Sequence, residues 1–150
     1  MAIRNIVKIG NDALREKCKE VTEFDERLST LIDDMIDTMF KANGVGLAAP
    51  QIGILKRIAV VSIDGEKIYE LVNPVIKSFS GRQVREEGCL SVPDRYGKVE
   101  RPQKLVVEYQ DRNGNKKKIN TSGFLTTAFC HEIDHLDGVL YIDKLITEKK

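Results

Sequence analysis

The two histidines of this 150-residue chain lie four positions apart, at His131 and His135, and Glu132 directly follows the first of them. In an α-helix, positions four apart are separated by about 40° around the axis and about 6 Å along it, so both imidazoles would share one face. Two imidazoles placed in this way can bind one metal ion, and the adjacent Glu can reach a water on that ion without binding the ion itself. The pattern therefore predicts a helix that carries a metal site and a general base, Glu132.

This motif does not specify the third metal ligand. A catalytic ion normally takes three protein ligands, and because the chain has no third histidine the candidates are Asp, Glu or Cys. Cys89 is favoured because its segment, EEGCLS (residues 86–91), is typical of a loop or an edge strand that could approach the ion. Cys18 is expected in the core. On a helical wheel Cys130 lies about 140° from His135, so it is predicted to face away from the metal on a more polar side.

Hydrophobic periodicity predicts helices at both ends of the chain and strands between them. The helices are expected over residues 11–21, over residues 25–42, and from a cap at Thr121 or Ser122 to about residue 136. The strands are expected in two hairpins, residues 58–63 with 67–75 and residues 105–110 with 116–119. This order favours an α+β fold and one domain over residues 1–150, in which the H-E-x-x-H helix packs against short, mainly antiparallel sheets.

The helix over residues 25–42 has the strongest amphipathic pattern in the chain. The step Asn43-Gly44 is expected to end it, because glycine tolerates the left-handed conformation of a helix cap. The side away from the core is expected to carry Asp33, Asp34 and Asp37.

Charge and cysteine count exclude several classes of protein. The 24 basic and 23 acidic side chains leave a net charge of +1, which gives no electrostatic case for binding nucleic acid. No apolar stretch approaches the roughly 20 residues that cross a bilayer. Three widely spaced cysteines do not indicate a disulfide framework and favour a reducing cytoplasm. Nothing in the sequence indicates an oligomer, so a monomer is expected.

The segment GVGLAAPQ (residues 44–51) allows two interpretations. It has neither a Gly-Lys-Ser/Thr step nor a preceding strand, so it does not match the phosphate-binding loops. By itself it is typical of a helix end followed by a turn. Beside a metal site it could instead be a loop whose glycines let a substrate backbone come close, with the Gln51 amide as a hydrogen-bond donor.

Three segments together resemble the signature motifs of the peptide deformylases, in the same order and at similar separations: GVGLAAPQ (residues 44–51), EGCLS (residues 87–91) and HEIDHL (residues 131–136). The resemblance extends from the N-terminal helix to Lys144 and includes the Val92-Pro93 and Arg101-Pro102 steps. It implies an α+β metalloenzyme that removes the formyl group from the N-formylmethionine of nascent bacterial-type proteins. The cytoplasm of a bacterium and a nascent chain at the ribosome are the implied location and partner.

The resemblance also implies roles for individual residues. Cys89, His131 and His135 would bind the metal, and Glu132 would be the catalytic acid and base. Gln51 and the Leu90 N–H would stabilise the oxyanion, and Glu87 would orient a group of the site. The substrate would be bound by Gly44, Val45, Gly46, Leu90, Phe124 and Ala128, the last two from helix phase and family position. The metal would be one divalent ion, Fe²⁺ natively, which Zn²⁺, Ni²⁺ or Co²⁺ can replace.

The chain departs from the family pattern at Cys130, where the family usually has Gln, and it ends soon after Ile146. Neither departure touches a group that is predicted to be catalytic. Two other interpretations remain open from the residues: a zinc peptidase that uses the same helix motif, and a non-enzymatic scaffold that binds metal or nascent chains. A peptidase would usually take His or Glu as its third ligand. A scaffold would be expected to have lost Glu132, Gln51 or Cys89, and all three are present.

Overall fold

The computed structural model describes residues 2–149 and contains one long amphipathic helix, α1 (Glu26–Lys41). The Asp25 side chain caps it by accepting a hydrogen bond from the Leu28 N–H at 3.1 Å. The helix ends at the Asn43-Gly44 step as predicted, but the residue in the left-handed conformation is Asn43, with φ of 58°, and not the glycine. Asn tolerates this conformation because its short side chain can hydrogen-bond locally, and the Gly44 N–H then closes the turn on the Met39 carbonyl.

The exposure predicted for Asp34 was also wrong. Its carboxylate is buried and accepts hydrogen bonds from the Ala2 N–H at 2.9 Å and from the Arg4 guanidinium at 2.9 and 3.1 Å. Helical periodicity cannot reveal this burial, because the residues that bury the carboxylate belong to an N-terminal segment about 30 residues away in sequence. The Ala2 N–H and the Arg4 side chain keep the pKa of Asp34 below its ordinary value.

The predicted helix over residues 11–21 is only one turn of 3-10 helix, Asp12–Arg15. Asn11 caps it through a 2.9 Å hydrogen bond from the Ala13 N–H. Cys18 is buried as expected, but it lies beyond this turn, and its N–H donates to the carbonyl of Leu136. Tertiary hydrogen bonds therefore replace helical ones in this segment.

Both predicted hairpins are confirmed, and they belong to a five-stranded antiparallel sheet. Its strands, in chain order, are β1 (Gly46–Ala48), β2 (Ile58–Val61), β3 (Tyr69–Ser80), β6 (Lys104–Gln110) and β7 (Lys116–Ser122), and they lie side by side in that order. A 3-10 helix, Ala49–Ile52, directly follows β1. The segment of residues 44–51 is thus an edge strand and a helical turn rather than an irregular loop.

A second antiparallel sheet was missing from the sequence prediction. It consists of β4 (Gln83–Cys89), β5 (Val92–Arg101) and β8 (Leu145–Lys149), with β5 in the centre. The β4 and β5 strands carry many charged side chains and expose one face, so their sequence lacks the apolar run that marks a buried strand. Cys89 ends β4, an edge strand, as predicted.

The helix α2 (Phe124–His135) contacts strands of both sheets. It begins after Gly123, which has φ of 65°, and no side chain caps it; Thr121 and Ser122 belong to β7, so the predicted cap was wrong. Gly138, with φ of 75°, follows its end, and a 3-10 helix, Tyr141–Lys144, leads into β8. The fold is therefore a mixture of helices and antiparallel sheets, which confirms the predicted class.

Candidate metal centre

The spacing of His131 and His135 on α2 turns both imidazoles toward Cys89 at the end of β4. One ligand atom from each of these residues lies within 4.8 Å of the other two, and the Cys89 Sγ is 3.4 Å from the His135 Nε2. One thiol and two imidazoles are the kind of donors that bind a transition-metal ion. The two predicted helix ligands and the favoured third ligand thus come together as a group that could hold a metal.

The orientation of His131 is set by a carboxylate from the second sheet. Its Nδ1 lies 2.9 Å from the Glu87 Oε1, and because a carboxylate only accepts, Nδ1 donates and Nε2 is left for the metal group. Arg101 holds Glu87 from the other side, at 2.9 Å to Oε2 and 3.0 Å to Oε1. Burial alone would raise the pKa of Glu87, but hydrogen bonds from His131 and Arg101 bring it below its ordinary value.

His135 has a different environment. Its Nδ1 is buried and finds no hydrogen-bond partner within residues 2–149. Burial holds the pKa of His135 well below its ordinary value, with a further contribution from His131. The imidazole is therefore neutral, which is the state that a metal ion binds.

Glu132 lies beside the metal group with only 3% of its surface exposed. Burial raises the pKa of this carboxyl to about 7, and its Oε1 has no hydrogen-bond partner in the described chain. Its other oxygen packs against Gly46, where an added Cβ would overlap Oε2 and lie 2.7 Å from Cδ. A carboxyl group with a pKa near neutrality and a free oxygen in a cleft is suited to accept and return a proton.

Gln51 reaches the same centre from the 3-10 helix that follows β1. Its Oε1 accepts a hydrogen bond from the Ala48 N–H at 3.0 Å, so the amide nitrogen must point the other way. That nitrogen donates to the Ser91 Oγ at 3.1 Å and approaches the Cys89 Sγ at 3.6 Å. The amide is thus buried and fixed at the edge of the metal group.

A cleft of about 310 Å³ opens above these residues. Val45 and Phe124 line the cleft where it opens to solvent, and each is about 40% exposed, whereas Ala128 lines it and is buried. The structure brings every predicted substrate-binding residue to the wall of this cleft: Gly44, Val45, Gly46, Leu90, Phe124 and Ala128. The concave, mainly apolar shape suits one medium-sized apolar side chain beside the metal group.

A sequence profile of the polypeptide deformylases matches residues 3–150. The chain belongs to the polypeptide deformylase family. The peptide deformylase of Caldicellulosiruptor bescii is 56% identical over 146 residues, which are 97% of this chain and 87% of that protein. These likenesses identify the chain as an enzyme of this family.

Solved structures of deformylases agree with the fold. The peptide deformylase of Thermotoga maritima superposes with a TM-score of 0.94 at 40% identity, over 97% of this chain and 99% of that one. The enzyme from Legionella pneumophila gives a TM-score of 0.93 at 47% identity, over 96% of this chain and 86% of that one.

Within the described residues, no helix has the length and apolar character needed to traverse a bilayer.

Cys130, where the deformylase family usually has Gln, lies outside the metal group of Cys89, His131 and His135. The prediction that it lies on a polar side was wrong, because it is 6% exposed and packs in an apolar cluster with side chains of β2, β3 and β6. Strands that the helical wheel cannot take into account cover this side of α2. Burial raises the pKa of the Cys130 thiol to about 11, so the thiol stays protonated near neutral pH.

The sequence prediction missed several residues that border the deformylase centre. Tyr141 stacks on His131 with ring centroids 5.9 Å apart, and its hydroxyl donates to the Arg95 carbonyl at 2.7 Å. Tyr96 lines the cleft from β5, a strand that was not predicted. Thr127 also lines it, four positions before His131, and helical spacing alone could have found it.

Proposed function

We propose that this enzyme removes the formyl group from the N-formylmethionine of nascent polypeptides and releases formate. The observation that carries this proposal is the convergence of Cys89, His131 and His135 in one group, beside a buried Glu132 and a fixed Gln51 amide. Hydrolysis of an amide needs an activated water, a base that becomes an acid, and donors for the oxyanion. The residues of this cleft match each requirement.

Cys89, His131 and His135 would hold one divalent ion through Sγ and the two Nε2 atoms. The donor set fits such an ion, since His131 is oriented by Glu87 and His135 is neutral. When bound, the ion supplies Lewis-acid chemistry that activates water and polarises the formyl oxygen. Fe²⁺ is proposed as the native ion, with Zn²⁺, Ni²⁺ or Co²⁺ as substitutes. This choice rests on the family resemblance, because ligand softness alone does not favour iron over zinc.

Glu132 would move the proton. Its carboxylate accepts a proton from the attacking water as the new C–O bond forms on the formyl carbon. It then donates that proton to the leaving amine as the C–N bond breaks, which yields formate and a free methionine amino group. The raised pKa, about 7, keeps both protonation states accessible near neutral pH.

Gln51 and Leu90 would stabilise the negative charge on the formyl oxygen. The Gln51 amide already points into the metal group, and Leu90 directly follows Cys89 in the turn between β4 and β5. Donors held in place before the reaction are worth several kcal/mol of barrier each, roughly 3–4 in the best-studied case. We expect these two groups to affect kcat more than KM.

The methionine side chain would occupy the cleft walled by Val45, Leu90, Phe124 and Ala128. The glycines at 44 and 46 would let the substrate backbone come close. The exposed Val45 and Phe124 leave the mouth open for the rest of the chain, as a nascent peptide requires. We also propose that the enzyme acts in the cytoplasm of a bacterium, at the ribosome, and that it is a monomer of one catalytic domain.

The test is formate release from a formyl-Met dipeptide by protein purified without oxygen, with metal content measured in the same samples. We expect rapid release with one ion per chain. An unformylated peptide of the same sequence is the control, and it should stay intact. Cleavage of that control would favour a peptidase, and no release by fully metallated protein would contradict the proposal.

A further inference from the structure

The strap, defined here as residues 6–9, is hydrogen-bonded to two segments that belong to different sheets. The Val7 N–H donates to the Gln51 carbonyl at 2.7 Å, and the Ile9 N–H donates to the Ser91 carbonyl at 2.8 Å. Gln51 follows β1 of the five-stranded sheet, and Ser91 lies between β4 and β5 of the three-stranded sheet. The strap therefore links the segments that contain the two proposed oxyanion donors, the Gln51 amide and the Leu90 N–H.

The side chains of the strap reinforce this link. Ile6 packs against the core cluster that contains Leu47 and Ala49, which lie four and two positions before Gln51 in sequence. The next residue, Val7, packs against a different cluster, that of Val92 and Tyr141, to which Cys89 also packs. Neighbouring residues thus enter different cores, and the exposed Lys8 places its Nζ 3.4 Å from the Leu90 carbonyl.

The Gln51 side chain spans the same gap inside the site. Its amide nitrogen lies 3.1 Å from the Ser91 Oγ and 3.6 Å from the Cys89 Sγ. The distance between the Gln51 amide and the Leu90 N–H therefore depends on how closely the segment of Gln51 and the segment of Ser91 are held together. We propose that Val7 and Ile9 are positioning residues, which hold the Gln51 amide and the Leu90 N–H at the separation that one oxyanion requires.

This inference rests on the proposed roles of Gln51 and Leu90. Removing an oxyanion donor outright lowers kcat by about 10²–10³-fold, and a misplacement of about 1 Å can cost about 10²-fold. Breaking one strap hydrogen bond should therefore lower kcat by about 10-fold, less than the loss of the Gln51 side chain. KM should change by less than kcat does, because two walls of the cleft, Phe124 and Ala128, lie on α2, which the strap hydrogen bonds do not hold.

The experiment replaces each donating residue with proline, which lacks an N–H. The variants are Val7→Pro and Ile9→Pro, and the control is Ile3→Pro, at an exposed residue outside the strap. For each protein kcat and KM are measured on the formyl-Met dipeptide, together with metal content and the thermal midpoint. We expect both strap variants to lose kcat with full metal content and the control to keep it. Parental kcat in both strap variants overturns the proposal wherever Gln51→Ala itself lowers kcat.

A general loss of stability is separated from positioning by combining each change with Gln51→Ala. If the strap acts through Gln51, Val7→Pro should have little further effect on kcat in that background, because the group it positions is absent. An undiminished 10-fold effect there overturns the proposal. If Val7→Pro does not fold, Ile9→Pro tests the other hydrogen bond of the strap, and Val7→Ala, which keeps the N–H, tests the packing of the Val7 side chain.

The Gln51 side-chain amide resonance in the NMR spectrum, assigned by its loss in Gln51→Ala, gives a readout that does not depend on turnover. We expect it to move in both strap variants and to stay in place in Ile3→Pro. An unmoved resonance overturns the strap inference. A moved resonance combined with parental kcat in Gln51→Ala supports positioning by the strap and contradicts only the oxyanion role of Gln51.

Discussion

Replacing Arg101 with Ala removes the group that holds Glu87, and through it His131. The Arg101 side chain is 3% exposed and makes two hydrogen bonds to Glu87 and a third to Asp134 at 2.7 Å. Asp134 is less dependent on it, because this carboxylate also pairs with Lys144 at 3.2 Å and is partly exposed. The main consequence is therefore a buried Glu87 that keeps its hydrogen bond to His131 but has lost its balancing charge.

The magnitude follows from that unpaired carboxylate. Removing one partner of a buried ion pair typically costs about 3–5 kcal/mol of unfolding free energy. Loss of the group that orients a metal-binding histidine typically weakens metal binding by about 10–100-fold, and because Glu87 keeps its hydrogen bond to His131 we expect the lower end of this range, about 10-fold or less. We expect Arg101→Ala to show both losses.

Urea unfolding and competition for Zn²⁺ with a chelator measure the two effects. Arg82→Ala is the matched control, because Arg82 is 80% exposed and pairs with Glu100 at 3.6 Å; its unfolding free energy should change by less than about 1 kcal/mol. Adding Glu87→Gln to Arg101→Ala should restore part of the lost stability, because it removes the unpaired charge. If Arg101→Ala unfolds and binds Zn²⁺ like Arg82→Ala, the argument that Arg101 holds Glu87 is wrong.

Four further predictions concern single residues. Glu132→Ala should keep its metal but lose about 10²–10⁴-fold in kcat, and parental formate release would contradict the mechanism. Gly46→Ala should displace the Glu132 carboxyl and lower kcat with metal content unchanged; equal kcat would show that the overlap is relieved elsewhere. Cys130→Gln should leave metal content unchanged, because Cys130 lies outside the metal group, and loss of the ion by elemental analysis would refute that placement. Asp34→Asn should lose about 1–3 kcal/mol at pH 7 in urea unfolding. The Ala2 N–H and Arg4 lower the pKa of Asp34. The difference in unfolding free energy between the parent and Asp34→Asn should therefore shrink as the pH falls below about 4 and should not grow there.

Local patterns in the sequence predicted the parts of the fold that depend on neighbours in the chain. The amphipathic period located α1, and the Asn113-Gly114 turn located the hairpin of β6 and β7. The second sheet escaped prediction because β4 and β5 are polar and gain their stability from each other and from β8. The N-terminal residues were predicted as helix because their tertiary hydrogen bonds cannot be inferred from local sequence.

The site divides in the same way. His131, Glu132 and His135 could be placed relative to one another from sequence alone, because the geometry of one helix fixes their relation. The packing of α2 between two sheets decides the other distances of the site. It brings the Cys89 sulfur to 3.4 Å from the His135 Nε2, and it lets Arg101 hold Glu87 against His131. The burial that raises the pKa of Glu132 to about 7 likewise comes from residues distant in the chain, Gly46 among them. The sequence by itself determined which groups the enzyme has, and the tertiary structure decided their distances and their protonation, because both depend on contacts between segments that are remote in sequence.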